Sequence, residues 1–175
     1  MMKTLFLWFY CLPLSRAAIF PLLAAALFLL LRACFGTRKF WRPAVLLLFA
    51  GWMLVILLGT LGRRGGACPA PILTPFHSYY AALALGEREL LRECFMNAVL
   101  FYPAGLLAWE LLPQGWPVSK RLLLTAAAFA ALSAGIEVCQ YLLSLGQAET
   151  DDVIHNTLGA AFGALTGALP RTKRR

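Results

Sequence analysis

Residues Ile136 to Gly167 read IEVCQYLLSLGQAETDDVIHNTLGAAFGALTG, two apolar segments joined by a polar turn. Ionisable and amide side chains sit inside or between these segments: Glu137 and Gln140 in the first, Asp151, Asp152, His155 and Asn156 at the head of the second. Charge at membrane depth is costly, so residues of this kind face a bundle interior, pair with one another and mark a functional site. The stretch therefore predicts two membrane helices that share a polar site.

The rest of the chain agrees. Of 175 residues, 61% are hydrophobic and 14% charged, which excludes an ordinary soluble domain. Five apolar runs approach the roughly 20 residues that cross a hydrocarbon core. They are Ala17 to Phe35, Ala44 to Gly62, Cys94 to Leu112, Leu122 to Gly146 and Val153 to Leu169. Backbone groups in lipid must be satisfied within the segment, and the turn signals of a barrel are missing, so the runs are read as helices. The expected fold is all-α: one membrane domain over residues 1–175, a polytopic bundle of about five transmembrane helices. Arg63 to Pro75 is Gly- and Pro-rich and predicts an irregular loop. Glu87 to Glu93 predicts a helical turn that leads into the third span.

Two readings of the N-terminus stay open. Lys3, the apolar stretch Thr4 to Leu14 and the Ser15-Arg16-Ala17 junction resemble a secretory signal, while the aromatics Phe6, Trp8, Phe9 and Tyr10 suit an interfacial segment at headgroup level. The interfacial segment is the favoured reading, because Arg16 stands beside the cleavage point.

The sixteen basic residues set an orientation. With a cytoplasmic C-terminus, ten fall inside: Arg32, Arg38, Lys39, Arg42, Lys120, Arg121 and the four of the terminal RTKRR. Six fall outside: Lys3, Arg16, Arg63, Arg64, Arg88 and Arg92. The positive-inside rule then favours N-out and C-in in a bacterial plasma membrane. The net charge of +8 implies contact with anionic lipid rather than nucleic acid. In this topology Asn97, Glu137, Gln140 and Asp151 to Asn156 all lie toward the outer side.

Spacing adds detail. Ser133, Glu137, Gln140 and Ser144 recur at four, three and four residues and form a polar stripe on the fourth span. On the fifth, Asp152, His155, Asn156 and Gly159 share a face that Gly163 and Gly167 continue. Glycine at every fourth position lets two helix backbones approach, and the polar faces of the fourth and fifth spans are expected to meet. Plainer roles are open beside this one. The glycines can serve packing alone, Gln140 and Asn97 can be interhelical hydrogen-bond glue, and Asp151 or Asp152 can cap the fifth span. Glu137 resists such a reading most, since a carboxyl group inside a span must be protonated, meet a cation or face water.

These blocks carry a family resemblance. Asn97 ahead of LFYPAG (Leu100 to Gly105), GIEVCQ (Gly135 to Gln140), DDVIHNTLGAAFG (Asp151 to Gly163) and ILTPF (Ile72 to Phe76) resemble the signature blocks of the VanZ-like family over residues 72–167. The resemblance implies a bacterial membrane protein of the cell envelope, related to one associated with reduced sensitivity to teicoplanin. The ligand-binding candidates are then Glu137, Gln140, Asp151, Asp152, His155, Asn156 and Asn97. The expected partners are membrane lipids and an envelope glycolipid or lipoglycopeptide. No motif calls for a cofactor or a metal.

Two rival classes stay open, a metalloenzyme acting on a lipid-linked phosphate and a structural partner of another membrane protein. Against the first stand the lack of an H-E-x-x-H pattern and of a G-x-S-x-G elbow. The five cysteines show no C-x-x-C spacing; Cys68 and Cys94 are the pair that could bridge outside.

Overall fold

A computed structural model describes residues 14–62, 70–86 and 88–169, and within them the chain is helical, with a single isolated bridge and no strand. The helices are α1 (Leu14–Phe35), α2 (Trp41–Thr60), α3 (His77–Tyr80), a π-helical turn (Ala81–Leu85), α4 (Arg88–Leu111), α5 (Val118–Leu142) and α6 (Thr150–Gly167). The N-terminal interfacial segment, Arg63, Arg64, Cys68, Glu87 and the basic C-terminus lie outside these residues. Each of the five apolar runs lies largely within one long helix. Trp41–Thr60, Glu89–Leu111 and Val118–Leu142 are long and apolar enough to cross a membrane, and Pro21–Phe35 is a shorter apolar helix.

Helix boundaries depart from the apolar runs for identifiable reasons. The α4 helix begins at Arg88, since the charged turn Arg88 to Glu93 is helical although it is not apolar. The α5 helix ends at Leu142, short of Gly146, because Ser144 adopts the left-handed conformation (φ 52°). Its N–H donates to Tyr141 and that of Leu145 to Gln140, a Schellman closure made without glycine. Ser144 thus leaves the helix, and the α5 stripe stops at Gln140.

The α4 helix is the centre of the bundle, with α6, α2, α1 and α5 packed around it. Its partnership with α6 is the closest. A Cβ on Gly159 would fall on the carbonyl of Ala98, one on Gly163 on the carbonyl of Tyr102, and one on Gly105 of α4 on the carbonyl of Ala160. Contacts that pair 98 with 159, 102 with 163 and 109 with 167 ascend together, so the two helices run parallel. The glycine face expected to serve the meeting with the fourth span is therefore seated on the third. Glycine on both partners explains the choice: Gly105 offers Ala160 a matching backbone surface. Where α5 meets α6, a side-chain bond from Asn156 to Ser133 joins them instead.

Apolar packing fills the remaining space. Ile56, Leu100, Phe101, Ala104, Phe129, Ile136 and Ala160 form one cluster, and Phe28, Trp41, Val45, Leu106 and Leu107 form a second nearer the opposite end. Pro103 has no N–H to give within α4. Three residues earlier, the Leu100 carbonyl accepts the indole N–H of Trp52 at 2.9 Å, which ties α2 to α4. The outward faces of α1 and α2, with Leu22, Leu23, Leu27, Leu30, Leu46, Leu47 and Leu48, are exposed, as lipid contact requires.

The glycine contact yields a direct expectation. Gly163→Leu should destabilise the fold by about 3 kcal/mol or more, because the neighbouring groups are backbone and cannot turn aside. Gly51→Leu in α2, where a Cβ meets nothing within 4 Å, should not lower stability. Thermal midpoints in mild detergent check both, and equal midpoints for the two variants would contradict the packing.

Candidate functional site

The polar residues gather at the end of the bundle where α2 finishes and α4 and α6 begin. Asp151, only 2% exposed, directs both carboxylate oxygens to backbone donors of the segment between α2 and α4: Phe76 N–H at 2.5 Å and Ser78 N–H at 2.8 Å. These are free donors at the start of α3. Phe76 itself has φ 61°, a left-handed conformation that costs a residue with a Cβ about 1–2 kcal/mol. The two bonds to Asp151 hold it there. Capping by Asp151 thus serves a neighbouring element rather than its own helix.

The start of α6 is satisfied from elsewhere. Its N-cap, Glu149, makes no side-chain cap bond; the Glu149 N–H donates to Glu137 Oε2 at 3.0 Å, and the Thr150 N–H to the Ile72 carbonyl at 3.0 Å. Ile72 N–H in turn donates to Ala148, which makes the parallel bridge between residues 72 and 149. Glu137, 7% exposed, therefore holds the connection that leads from α5 into α6. Gln147 donates to the Ala70 carbonyl and adds a further tie.

His155 forms the most distinctive pair. Its Nδ1 lies 2.6 Å from the Asp151 carbonyl and its Nε2 lies 2.8 Å from the Tyr79 hydroxyl. A carbonyl can only accept, so Nδ1 carries a proton and donates to it, while Nε2 shares the second hydrogen bond with the Tyr79 hydroxyl. The rings also stack, with centroids 5.7 Å apart. Tyr79 is partly exposed, so this relay joins the molecular surface to the buried imidazole.

The next residue of α6, Asn156, is 3% exposed and donates from Nδ2 to Ser133 Oγ at 2.8 Å. Its Oδ1 is buried with no hydrogen-bond partner. Asn97 is buried on α4, three residues beyond Cys94. Gln140 is buried at the same end and donates to the Thr60 carbonyl at the end of α2. Asp152 lies close enough to Glu149 to act on its charge. Cys94 is buried and carries a free thiol. Among the described residues, no three of His, Cys, Asp and Glu stand close enough to hold one metal ion.

A second polar cluster, unforeseen in the sequence, occupies the opposite end. Arg32 is 6% exposed and donates to the carbonyl of Gly167, the last residue of α6, and to that of Leu169 just beyond it, at 2.6 Å each. It also faces Glu110 at 3.8 Å, whose other oxygen accepts the Trp41 indole N–H at 3.0 Å. Arg121 stacks on Trp109 and donates to its carbonyl, and Arg42 donates to Leu111. A usable signal existed: Arg32 ends the first apolar run, and Glu110 is the lone acid at the same end of the third.

Residues 45–169 match the VanZ/LLP1 family, and the chain belongs to it. No curated protein and no solved structure matches the chain. Membership and the apolar helices make it a membrane protein.

The electrostatics of the polar end are testable at Glu149, outside the apolar helix interiors. Burial pushes its carboxyl up to about 7 from an ordinary 4.5, with Asp152, Glu93 and Asp151 adding to the rise and His77 opposing it. Between those values the folded chain keeps a proton that the unfolded chain releases. The resulting stability is complete below about pH 4.5 and is lost as pH rises through 7. The thermal midpoint should therefore fall between pH 4.5 and about 7, and Glu149→Gln should flatten that fall; identical slopes for both proteins would refute the assignment.

Proposed function

We propose, from membership of the VanZ/LLP1 family and the geometry of the polar end, that the protein binds the head of an amphiphilic envelope molecule, a lipid or lipoglycopeptide. The site is bounded by Glu137, Asp151, Asp152, His155, Asn156 and Asn97. The protein is a multi-pass resident of a bacterial plasma membrane, N-out and C-in, organised as one domain along its length. The guanidinium cluster of Arg32, Arg42 and Arg121 lies at the end assigned to the cytoplasm, in keeping with the ten-to-six partition of basic residues. The acidic end then faces the envelope.

One observation carries the reading. The Asn156 Oδ1 is buried and unpaired on α6, one residue after the His155 that pairs with the exposed Tyr79. A buried acceptor without a donor costs about 1–3 kcal/mol. Such a cost is retained at binding sites, where a ligand donor removes it. Glu137 and Asp151 meanwhile spend carboxylate oxygens on backbone amides, so they shape the site, while Asn156 and the Tyr79–His155 pair address its occupant.

Asn156→Leu is the discriminating variant. It should fold with a thermal midpoint within a few degrees of the unaltered chain, because removal of the unpaired oxygen offsets the lost bond to Ser133 Oγ, and it should retain at least tenfold less lipid in native mass spectrometry from mild detergent. Teicoplanin, suggested by the family resemblance, should displace retained lipid from the unaltered chain. Undiminished retention by the Leu variant would remove the reading. Orientation is checked by cysteine labelling: because Ala148 is buried, the probe is placed at the exposed Ser144 at the end of α5, where it should react from outside, and one at Thr172 should not.

A further inference from the structure

The connection between α2 and α4 descends beside the helices rather than looping away from them. The Tyr79 hydroxyl reaches His155, five residues into α6, and Ser78 hydrogen-bonds the thiol of Cys94, six residues into α4. At 1.5 Å per residue these contacts lie about 8 and 9 Å below the helix starts. Ser78 and Ala81 are buried against the bundle at that depth.

Much of the backbone of this segment is satisfied by protein. Ile72 N–H donates to Ala148, Phe76 and Ser78 N–H to Asp151, Tyr80 N–H to Phe76, Ala81 N–H to His77 and Ser78, and Gly86 N–H to Ala81. A loop in water has no need of so many protein partners, whereas backbone in hydrocarbon does. From Ile72 to Gly86 the sequence ILTPFHSYYAALALG holds no Lys, Arg, Asp or Glu. Its outward side chains are apolar and exposed: Leu73 at 73%, Phe76 at 59%, Tyr80 at 65%, Leu83 at 87% and Leu85 at 64%. Tyrosines beside aliphatic side chains are the composition of a membrane interface.

We infer that Ile72 to Gly86 is a re-entrant element immersed in the leaflet on the polar side, and that the partner of its exposed face is the acyl-chain region of membrane lipid. Asp151 is the strut that makes immersion affordable for the backbone, since it takes the two donors that open α3. The inference is independent of ligand binding at Asn156: a bilayer-immersed segment is expected whether or not lipid headgroups are retained there.

Two measurements test it. The unmodified chain is placed in nanodiscs of phosphatidylcholine with a diazirine midway along one acyl chain. After irradiation, peptides covering residues 72–86 should be labelled about as strongly as the exposed Leu46 to Leu48 stretch of α2, and several-fold above the Pro113 to Pro117 turn. Absence of label on residues 72–86 while α2 is labelled overturns the inference. In a variant with the five cysteines replaced, a nitroxide at Leu83→Cys should relax with oxygen and be shielded from a water-soluble nickel chelate. Access to nickel would show an aqueous loop, and shielding from both reagents would show a protein neighbour or a second copy; either result overturns the inference.

Discussion

The backbone-to-backbone contact of α4 with α6 is the constraint on which the rest of this structure depends. Helices in lipid gain little from hydrophobic association, because the surrounding chains are as apolar as their own side chains. Close van der Waals packing must supply the attraction, and Gly105, Gly159 and Gly163 allow it by leaving out the atoms that would hold the helices apart. The contact also fixes register. With Ala98 opposite Gly159 and Tyr102 opposite Gly163, the heads of α4 and α6 come level, and Cys94 and Asp151 can grip the same short segment between them. At the other end, Tyr102 Oη donates to Thr166 Oγ1 at 2.9 Å and closes the seam.

Both ends of the bundle obey one electrostatic rule. Helix N-termini offer unpaired N–H groups and partial positive charge, and C-termini offer unpaired carbonyls and partial negative charge. Carboxylates serve the first: Asp151 holds the start of α3, and Glu137 holds the N-cap residue of α6. Guanidinium groups serve the second: Arg32 closes α6, while Arg42 and Arg121 close α4. Many of the charges at the two ends are thus structural, and each is supplied by a different segment from the one it closes. The Asn156 oxygen and the Tyr79–His155 pair take no part in these end closures.

Much of the fold is legible in the sequence, because the forces that make membrane helices act within each helix. Continuous apolar runs located all five long helices, and four-residue glycine spacing marked the packing face of α6. What the sequence does not carry is which neighbour that face meets: the spacing of Gly159, Gly163 and Gly167 describes one surface only, and the match lay in a single Gly105 on another helix. The end of α5 was misplaced because a left-handed residue is ordinarily glycine, and here Ser144 adopts that conformation. The site is legible as a list of residues and not as roles. Asp151 and Glu137 look like ligands for a cation from their type, yet their bonding to Phe76, Ser78 and Glu149 is long-range in sequence and depends on how a proline-bearing loop folds back. Tyr79 was invisible as a site residue, since one tyrosine in an apolar loop carries no periodic signal.

The most direct test of this account is the α4–α6 seam itself, observed in a bilayer. Magic-angle-spinning NMR on the chain labelled at glycine Cα and at alanine and tyrosine carbonyls should give through-space correlations from Gly159 Cα to the Ala98 carbonyl and from Gly163 Cα to the Tyr102 carbonyl. Their appearance together would establish the parallel register from which the polar end is built. Correlations of the same glycines with alanine carbonyls of α5, or with lipid chains, would contradict it.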